Sequence, residues 1–195
     1  MTIPDRLTLT RIVLAPVFYL VYSIPDWTGQ LLVPSVVVLW IIFLVIEVTD
    51  LLDGMVARRR KLVTDVGKLF DPFADVISRV TYFICFFGSG FMPSWVLLVI
   101  VYREVSIGFL RSVMSRRGIT VQANWFGKAK ALVYSLSSAV ALFLLTIIRT
   151  GVLRSSLESM VIVVRVGLMV AAAASAASLL AYLWNYRAAV RAGDK

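Results

Sequence analysis

Four aspartates are spaced as two pairs in the stretch DLLDGMVARRRKLVTDVGKLFDPFAD. Asp50 and Asp53 are three positions apart, and Asp71 and Asp75 are four apart. On helices, both spacings place the paired carboxylates on one face, and a short connection would bring the two pairs together. Four anions gathered in one place require a cationic partner. That partner is either the basic run at 58–61, as an ion-pair cluster, or a divalent cation with oxygen ligands such as Mg²⁺ or Mn²⁺.

Small residues lie beside these carboxylates. Gly54 follows the first pair directly and Ala57 comes shortly after it, which leaves space for a flat ring to approach the backbone. Arg58, which we expect in the connecting loop, then presents a guanidinium fork suited to phosphate. Gly67 is expected to interrupt the connecting loop, and Pro72 to lie in the first turn of the next helix. Carboxylates for a cation, space for a ring and an arginine for phosphate together predict a nucleotide-diphosphate site.

The chain around this stretch is apolar enough to lie in a bilayer. Of its 195 residues 60% are hydrophobic and only 16% are charged, and the mean hydropathy is +0.89. Soluble domains have about a quarter of their residues charged, and a membrane-spanning helix needs roughly 20 mainly apolar residues. The sequence therefore predicts an all-α integral membrane protein, with six transmembrane helices in a single domain at 1–195. A cleavable signal peptide is not expected, because Asp5 and Arg6 precede a long span. The six segments lie near residues 7–24, 31–49, 76–92, 94–110, 126–148 and 159–186.

Basic residues concentrate on one side of these segments. The positive-inside rule then places both termini in the cytoplasm and makes the aspartate site face the cytoplasm. The net charge of +9 suits anionic lipid head groups, because the basic residues flank the spans, and nucleic acid is not expected as a partner. Cys85 is the single cysteine and the sequence has no histidine, so any metal must be held by oxygen. The basic residues of this side are Arg58, Arg59, Arg60, Lys61, Lys68, Arg111, Arg116, Arg117, Lys128, Lys130, Arg187, Arg191 and Lys195.

The aspartate stretch resembles the signature of the CDP-alcohol phosphatidyltransferases, D-x2-D-G-x2-A-R-x8-G-x3-D-x3-D. The resemblance implies two divalent cations (Mg²⁺ or Mn²⁺), a CDP-linked donor, release of CMP, a six-helix fold and a homodimer. It also implies that Asp75 is the general base as well as a metal ligand. The matching positions are Asp50, Asp53, Gly54, Ala57, Arg58, Gly67, Asp71 and Asp75. The metal ligands implied are Asp50, Asp53, Asp71 and Asp75, and the donor-binding residues implied are Asp50, Gly54, Ala57, Arg58 and Gly67.

A second set of charged residues bears on the acceptor alcohol. Arg103 and Arg111 are eight positions apart, so a helix places them roughly on one face, and Lys128 and Lys130 follow in the next segment. Together they predict an anion pocket for a phosphorylated acceptor. The alternative is that the arginines extend to the lipid interface, or that Arg103 pairs with Glu104.

Three segments resemble bacterial phosphatidylglycerophosphate synthases. YREVSIGFLR and NWFGKAKA are similar to their "REF…GLR" and "GKxKT" segments, and IPDRLTLTRIVLAPVF is similar to their "IPNxLTxxR" start. The chain departs from that pattern at Asp5, Ala131 and Val76. Glu47 adds a carboxylate one turn before the first pair, where it either orients a ligand or, as we favour, pairs with a basic side chain.

The expected function is transfer of the phosphatidyl group of CDP-diacylglycerol to sn-glycerol 3-phosphate, giving phosphatidylglycerophosphate and CMP. The expected location is the bacterial cytoplasmic membrane. Within the same family, the alternatives are another acceptor, such as inositol phosphate or serine, or diacylglycerol with CDP-choline or CDP-ethanolamine as donor. A divalent-cation transporter would spread its acids over several helices near the bilayer centre. A non-catalytic scaffold would not require four aspartates at this spacing.

Overall fold

The computed structural model describes residues 3–60, 65–116, 125–152 and 157–193, and in these ranges the chain folds into six helices with no strand. Each of the six predicted apolar segments falls mainly within one helix, so the predicted all-α architecture is confirmed. The helices are α1 (Ile3–Thr28), α2 (Leu32–Arg60), α3 (Asp65–Gly88), α4 (Ser94–Arg116), α5 (Trp125–Thr150) and α6 (Leu157–Gly193). Side chains are described for residues 6–51, 70, 72–114, 129–152 and 157–187.

Two local predictions about the aspartate stretch were wrong. Helix α2 continues to Arg60, so Arg58 lies on a helix rather than in a loop. Helix α3 begins at Asp65, so Gly67 and Pro72 lie inside it and Pro72 is beyond its first turn. The residues after the apolar part of α2 include leucine, methionine, alanine and arginine. These are strong helix formers, so the helix continues past the expected end of the span.

Four helical segments within the described ranges are long and apolar enough to cross a bilayer: Arg6–Thr28, Leu32–Leu51, Ala129–Thr150 and Leu157–Arg187. The protein is therefore an all-α integral membrane protein. Helices α3 and α4 have 24 and 23 residues, and they contain charged side chains that belong to two clusters.

Aromatic rings join the helices that surround the aspartate end. Tyr82 on α3 packs against Phe18 on α1, with ring centroids 4.7 Å apart, and against Phe43 on α2 at 5.4 Å. Phe83 on α3 contacts Tyr134 on α5 edge to face at 5.1 Å. Edge and tilted ring contacts of this kind are favourable and directional. They fix α1, α2, α3 and α5 relative to one another next to the charged residues.

The opposite end of the bundle is joined by a buried arginine. Arg149 near the end of α5 donates to Ser35 Oγ at 2.9 Å and to the Tyr22 carbonyl at 2.6 Å, and its guanidinium lies 5.0 Å from the Tyr22 ring centroid. One side chain thus connects α1, α2 and α5. Because these ends are held, the opposite ends of the same helices keep a defined separation.

Candidate active site

Four charged side chains meet where α1, α2 and α3 converge. Arg11 on α1 places Nη1 2.7 Å from Asp50 Oδ1 and 2.6 Å from Asp75 Oδ1. Arg79, one turn after Asp75, places Nη2 3.6 Å from Asp50 Oδ2 and 3.9 Å from Asp75 Oδ2. The carboxylates of the first and last motif positions therefore face each other between two guanidinium groups.

A small pocket opens beside this group, lined also by Glu47 and Ser78. Glu47 Oε2 accepts a hydrogen bond from Ser135 Oγ on α5 at 2.5 Å. The contact described for Glu47 is thus with a hydroxyl rather than with the basic side chain that we favoured. Glu47 nevertheless lies within electrostatic range of Arg79. The pocket lining therefore includes Glu47, a carboxylate outside the motif, and Glu47 is hydrogen-bonded to α5.

Asp75 lies just before the expected span at 76–92. Burial raises the pKa of its carboxyl to about 6; Arg79 and Arg11 lower the pKa, and Asp50 raises it. The Asp75 side chain is still 33% exposed, so water screens part of these effects. The carboxyl thus sits between solvent on one side and buried guanidinium groups on the other.

Six of the residues predicted to bind metal or donor have side chains outside the described part of the structure. Their backbone positions show that the first four follow Asp50 along α2 and that the last two precede Asp75 on α3. These residues are Asp53, Gly54, Ala57, Arg58, Gly67 and Asp71.

The geometry of Asp50 and Asp75 fits a shared cation. Both Oδ1 atoms lie within hydrogen-bond length of Arg11 Nη1, so the two carboxylates are adjacent to each other. Carboxylate oxygens are ligands that Mg²⁺ and Mn²⁺ prefer. Among the side chains that the structure describes, no group of three or more potential metal ligands occurs. The two described carboxylates therefore supply part of a donor set whose other predicted members, Asp53 and Asp71, lie outside the described side chains.

A second, buried charge cluster joins α4, α5 and α6. Glu104 Oε2 accepts from Arg103 Nη1 at 2.9 Å, and Glu104 Oε1 accepts from the Lys130 ammonium. Arg103 also donates from Nη2 to Ser178 Oγ on α6 at 2.8 Å. Two of the predicted acceptor-binding residues, Arg103 and Lys130, are thereby brought together around one carboxylate. The Arg103–Glu104 pairing that we kept as an alternative is present.

Arg79 is the charged side chain that relates the two clusters electrostatically. The guanidinium of Arg79 contacts the aspartates and lies within electrostatic range of Glu104. Arg111, the next predicted acceptor residue on α4, is exposed. It lies roughly 12 Å along the helix from Arg103, at 1.5 Å per residue. The side chain of Lys128 lies outside the described part of the structure.

Three residues of these clusters were not assigned a site role from the sequence: Arg11, Arg79 and Glu104. Arg11 ends the LTLTR segment that the resemblance already included, and Arg79 is four positions after Asp75, which places it on the same helical face. Both signals were therefore present in the sequence. The role of Glu104 depends on how α4 and α5 are both placed against α6, and the sequence pattern does not determine that.

The chain is similar to known proteins over most of its length. Residues 1–184 match the family described as CDP-alcohol phosphatidyltransferase, which covers most of the chain. The protein belongs to the CDP-alcohol phosphatidyltransferase family. That family uses divalent cations.

Similar proteins carry more specific names. A protein of Treponema pallidum named CDP-diacylglycerol--glycerol-3-phosphate 3-phosphatidyltransferase is 36% identical over 143 residues, which are 69% of this chain and 65% of that protein. A protein of Bacillus subtilis with the same name is 35% identical over 134 residues, 66% of this chain and 69% of that protein. A probable phosphatidylglycerophosphate synthase of Mycobacterium tuberculosis is 36% identical over 139 residues, 71% of this chain and 64% of that protein. The chain thus spans about two thirds of the length of these relatives, slightly less for the first and third.

Proposed function

We propose that this protein transfers the phosphatidyl group of CDP-diacylglycerol to sn-glycerol 3-phosphate, giving phosphatidylglycerophosphate and CMP. The observation that carries the proposal is the convergence of Asp50 and Asp75 on one cationic nitrogen, because it brings the first and last aspartates of the family signature together. The names of the relatives support glycerol 3-phosphate as the acceptor.

The reaction forms one phosphorus–oxygen bond and breaks another. An acceptor hydroxyl oxygen bonds to the phosphatidyl phosphorus, and the bond from that phosphorus to the oxygen of CMP breaks. The hydroxyl proton passes to the Asp75 carboxylate, which acts as general base. Two divalent cations, Mg²⁺ or Mn²⁺, would be held by Asp50, Asp53, Asp71 and Asp75, and when bound they neutralise the diphosphate and stabilise the CMP leaving group.

The donor and the acceptor have separate binding residues in this proposal. Gly54, Ala57, Arg58 and Gly67, with Asp50, hold the cytidine diphosphate end. Arg103, Arg111, Lys128 and Lys130 hold the acceptor phosphate. The meeting of Arg103 and Lys130 around Glu104 supports the second set, because it gathers two buried cations from different helices next to Arg79. Charge-assisted bonds from such groups are well suited to a phosphate dianion.

The site belongs at the membrane surface, because one substrate is a lipid and the other is soluble in water. We place the site on the cytoplasmic side of the bacterial inner membrane, with both termini in the cytoplasm, because the basic residues concentrate on that side of the predicted spans. We further propose a single domain at 1–195 and a homodimer, as the family resemblance implies.

The test is release of CMP by purified protein with CDP-diacylglycerol and Mg²⁺ or Mn²⁺, in the presence of separate acceptors. The acceptors are glycerol 3-phosphate, inositol 1-phosphate, serine and free inositol. We expect CMP release to depend on glycerol 3-phosphate. Release with serine or inositol 1-phosphate, and none with glycerol 3-phosphate, would replace the acceptor while keeping the reaction class.

A further inference from the structure

Arg11 is the side chain that joins the two motif helices. It lies on α1, and its side chain is only 2% exposed although it is among the largest in the core. A single nitrogen, Nη1, is 2.7 Å from Asp50 on α2 and 2.6 Å from Asp75 on α3. The two N–H groups on this nitrogen can donate one bond to each carboxylate. Three helices are therefore held together by one guanidinium group.

The contact is selective for one oxygen of each carboxylate. Arg11 contacts Oδ1 of Asp50 and Oδ1 of Asp75, whereas the Oδ2 atoms are the ones nearest to Arg79, at 3.6 and 3.9 Å. Those longer distances exceed a hydrogen bond. Both carboxylates remain partly exposed, at 37% and 33%. Arg11 therefore fixes how the pair is turned through the Oδ1 atoms alone.

We propose that Arg11 is a positioning residue for the divalent-cation site, holding Asp50 and Asp75 at the separation and rotation that a shared ion requires. The inference rests on the proposed function only in taking a divalent cation as the ligand of these carboxylates. Without the clamp, two anions this close repel each other and turn apart. Partners that orient metal ligands typically contribute about 10–100-fold in metal affinity when they are removed.

Arg79 provides the matched comparison. It brings the same charge to the same two carboxylates but without a short hydrogen bond. If only charge mattered, removal of either arginine would make the site more negative and tighten cation binding. If the hydrogen bonds of Arg11 position the ligands, Arg11→Gln weakens cation binding while Arg79→Gln does not.

The experiment is titration of Mn²⁺ alone into the full-length protein in detergent, with free Mn²⁺ followed by its paramagnetic resonance signal. We expect Arg11→Gln to raise the Kd for Mn²⁺ about tenfold or more, Arg79→Gln to leave it unchanged or lower it, and Arg11→Lys to raise it by an intermediate factor. An unchanged or lower Kd in Arg11→Gln, or equal weakening by both glutamine variants, would overturn the proposal.

Folding and function are separated by the controls. The unfolding temperature, measured in chelator, identifies a variant that fails to fold. If Arg11→Gln fails to fold, the Mn²⁺ affinity of Arg11→Lys is the deciding measurement. A wild-type Kd in Arg11→Lys overturns the proposal, and a raised Kd supports it. The Asp50→Asn variant is the non-binding control. If wild-type protein bound Mn²⁺ no better than this control, the result would contradict both this inference and the cation requirement of the proposed function. Wild-type binding with no effect at Arg11 would contradict this inference alone.

Discussion

The ammonium of Lys130 on α5 donates a hydrogen bond to Oε1 of Glu104 on α4, with both side chains buried. Removing one partner of a buried pair leaves the other charge without compensation, which typically destabilises a protein by about 3–5 kcal/mol. Glu104→Gln should therefore lower the free energy of unfolding substantially, because it leaves both Lys130 and Arg103 without their carboxylate. Lys130→Met should lower it less, because Arg103 still pairs with Glu104. The double variant should lose less than the sum of the two single losses.

A double-mutant cycle measured by reversible denaturation in detergent micelles tests this coupling. Arg187→Met on the exposed end of α6 serves as the control, because it removes a cation that is not buried. Additivity of the two single variants within about 0.5 kcal/mol would show that the pair is not coupled.

The sequence predicts some of these relationships better than others. The spacing of Asp50 and Asp53, or of Asp71 and Asp75, identifies shared helical faces because the helix period is fixed. Neighbouring residues such as Arg103 and Glu104 do not face each other on a helix, so their pairing could only be offered as an alternative. The addition of Lys130 depends on how α4 and α5 are both placed against α6, and a local pattern contains no such information.

The role of Arg11 likewise could not be predicted from a local sequence pattern. The sequence indicates that the aspartates require a cation and offers the basic run at 58–61 or a metal. In the folded chain, Asp50 and Asp75 are paired with Arg11, which is 39 and 64 positions away from them. The presence of the helices follows from the apolar composition of the segments, whereas the cationic partner of Asp50 and Asp75 is determined by the packing of three helices. The end of α2 was also missed, because helix-forming residues extend it past the apolar segment. The start of α3 at Asp65 was missed as well, and helix propensity does not account for it, since the added turns contain Gly67 and Pro72.

Removal of the cation, or of one of its ligands, should stop turnover. Asp50→Asn and Asp71→Asn keep the size of the side chain but remove the charge that a divalent cation requires. Both should abolish CMP release while thermal unfolding remains cooperative, and EDTA should inactivate the wild-type protein reversibly. The control is Asp26→Asn, which changes an exposed aspartate near the opposite end of α1. Full activity in thoroughly chelated buffer would rule out the cation-dependent mechanism.

Asp75→Asn should separate proton transfer from binding. Because Asp75 is proposed to take the proton of the acceptor hydroxyl, kcat should fall by about 10²–10⁴-fold. The Kd for CDP-diacylglycerol should change much less, since the donor is held mainly by residues of the first half of the motif. Equilibrium binding of the donor, measured beside steady-state kinetics, tests the difference. A loss of donor or metal affinity as steep as the loss of rate would make Asp75 chiefly a ligand.

Arg111→Ala should weaken the acceptor selectively. Arg111 is exposed, so its replacement is not expected to disturb folding. A charge-assisted bond to phosphate contributes roughly 1.5–3 kcal/mol, and about 1.4 kcal/mol is a factor of ten. The KM for glycerol 3-phosphate should therefore rise about tenfold or more, with little change in the KM for CDP-diacylglycerol. Arg111→Lys should recover part of the loss, because it keeps the charge and loses the planar fork.

The exposed Arg165 on α6, whose Nη2 donates to the Gly90 carbonyl, provides the control for that series. Arg165→Ala should leave both KM values unchanged, since Gly90 follows the C-terminal end of α3 whereas Asp75 lies toward its N-terminal end. If Arg111→Ala left the acceptor KM unchanged, or weakened both substrates equally, Arg111 would be an interfacial residue. An uncharged acceptor such as serine or free inositol would then be favoured.

The most direct measurement of the proposed reaction is transfer of radiolabelled sn-glycerol 3-phosphate into chloroform-soluble lipid by purified protein with CDP-diacylglycerol and Mg²⁺ or Mn²⁺. The proposed reaction predicts incorporation of label in a one-to-one ratio with CMP release, and neither product with Asp50→Asn protein. CMP release without incorporation of label, or incorporation that persists in the Asp50→Asn protein, would contradict it.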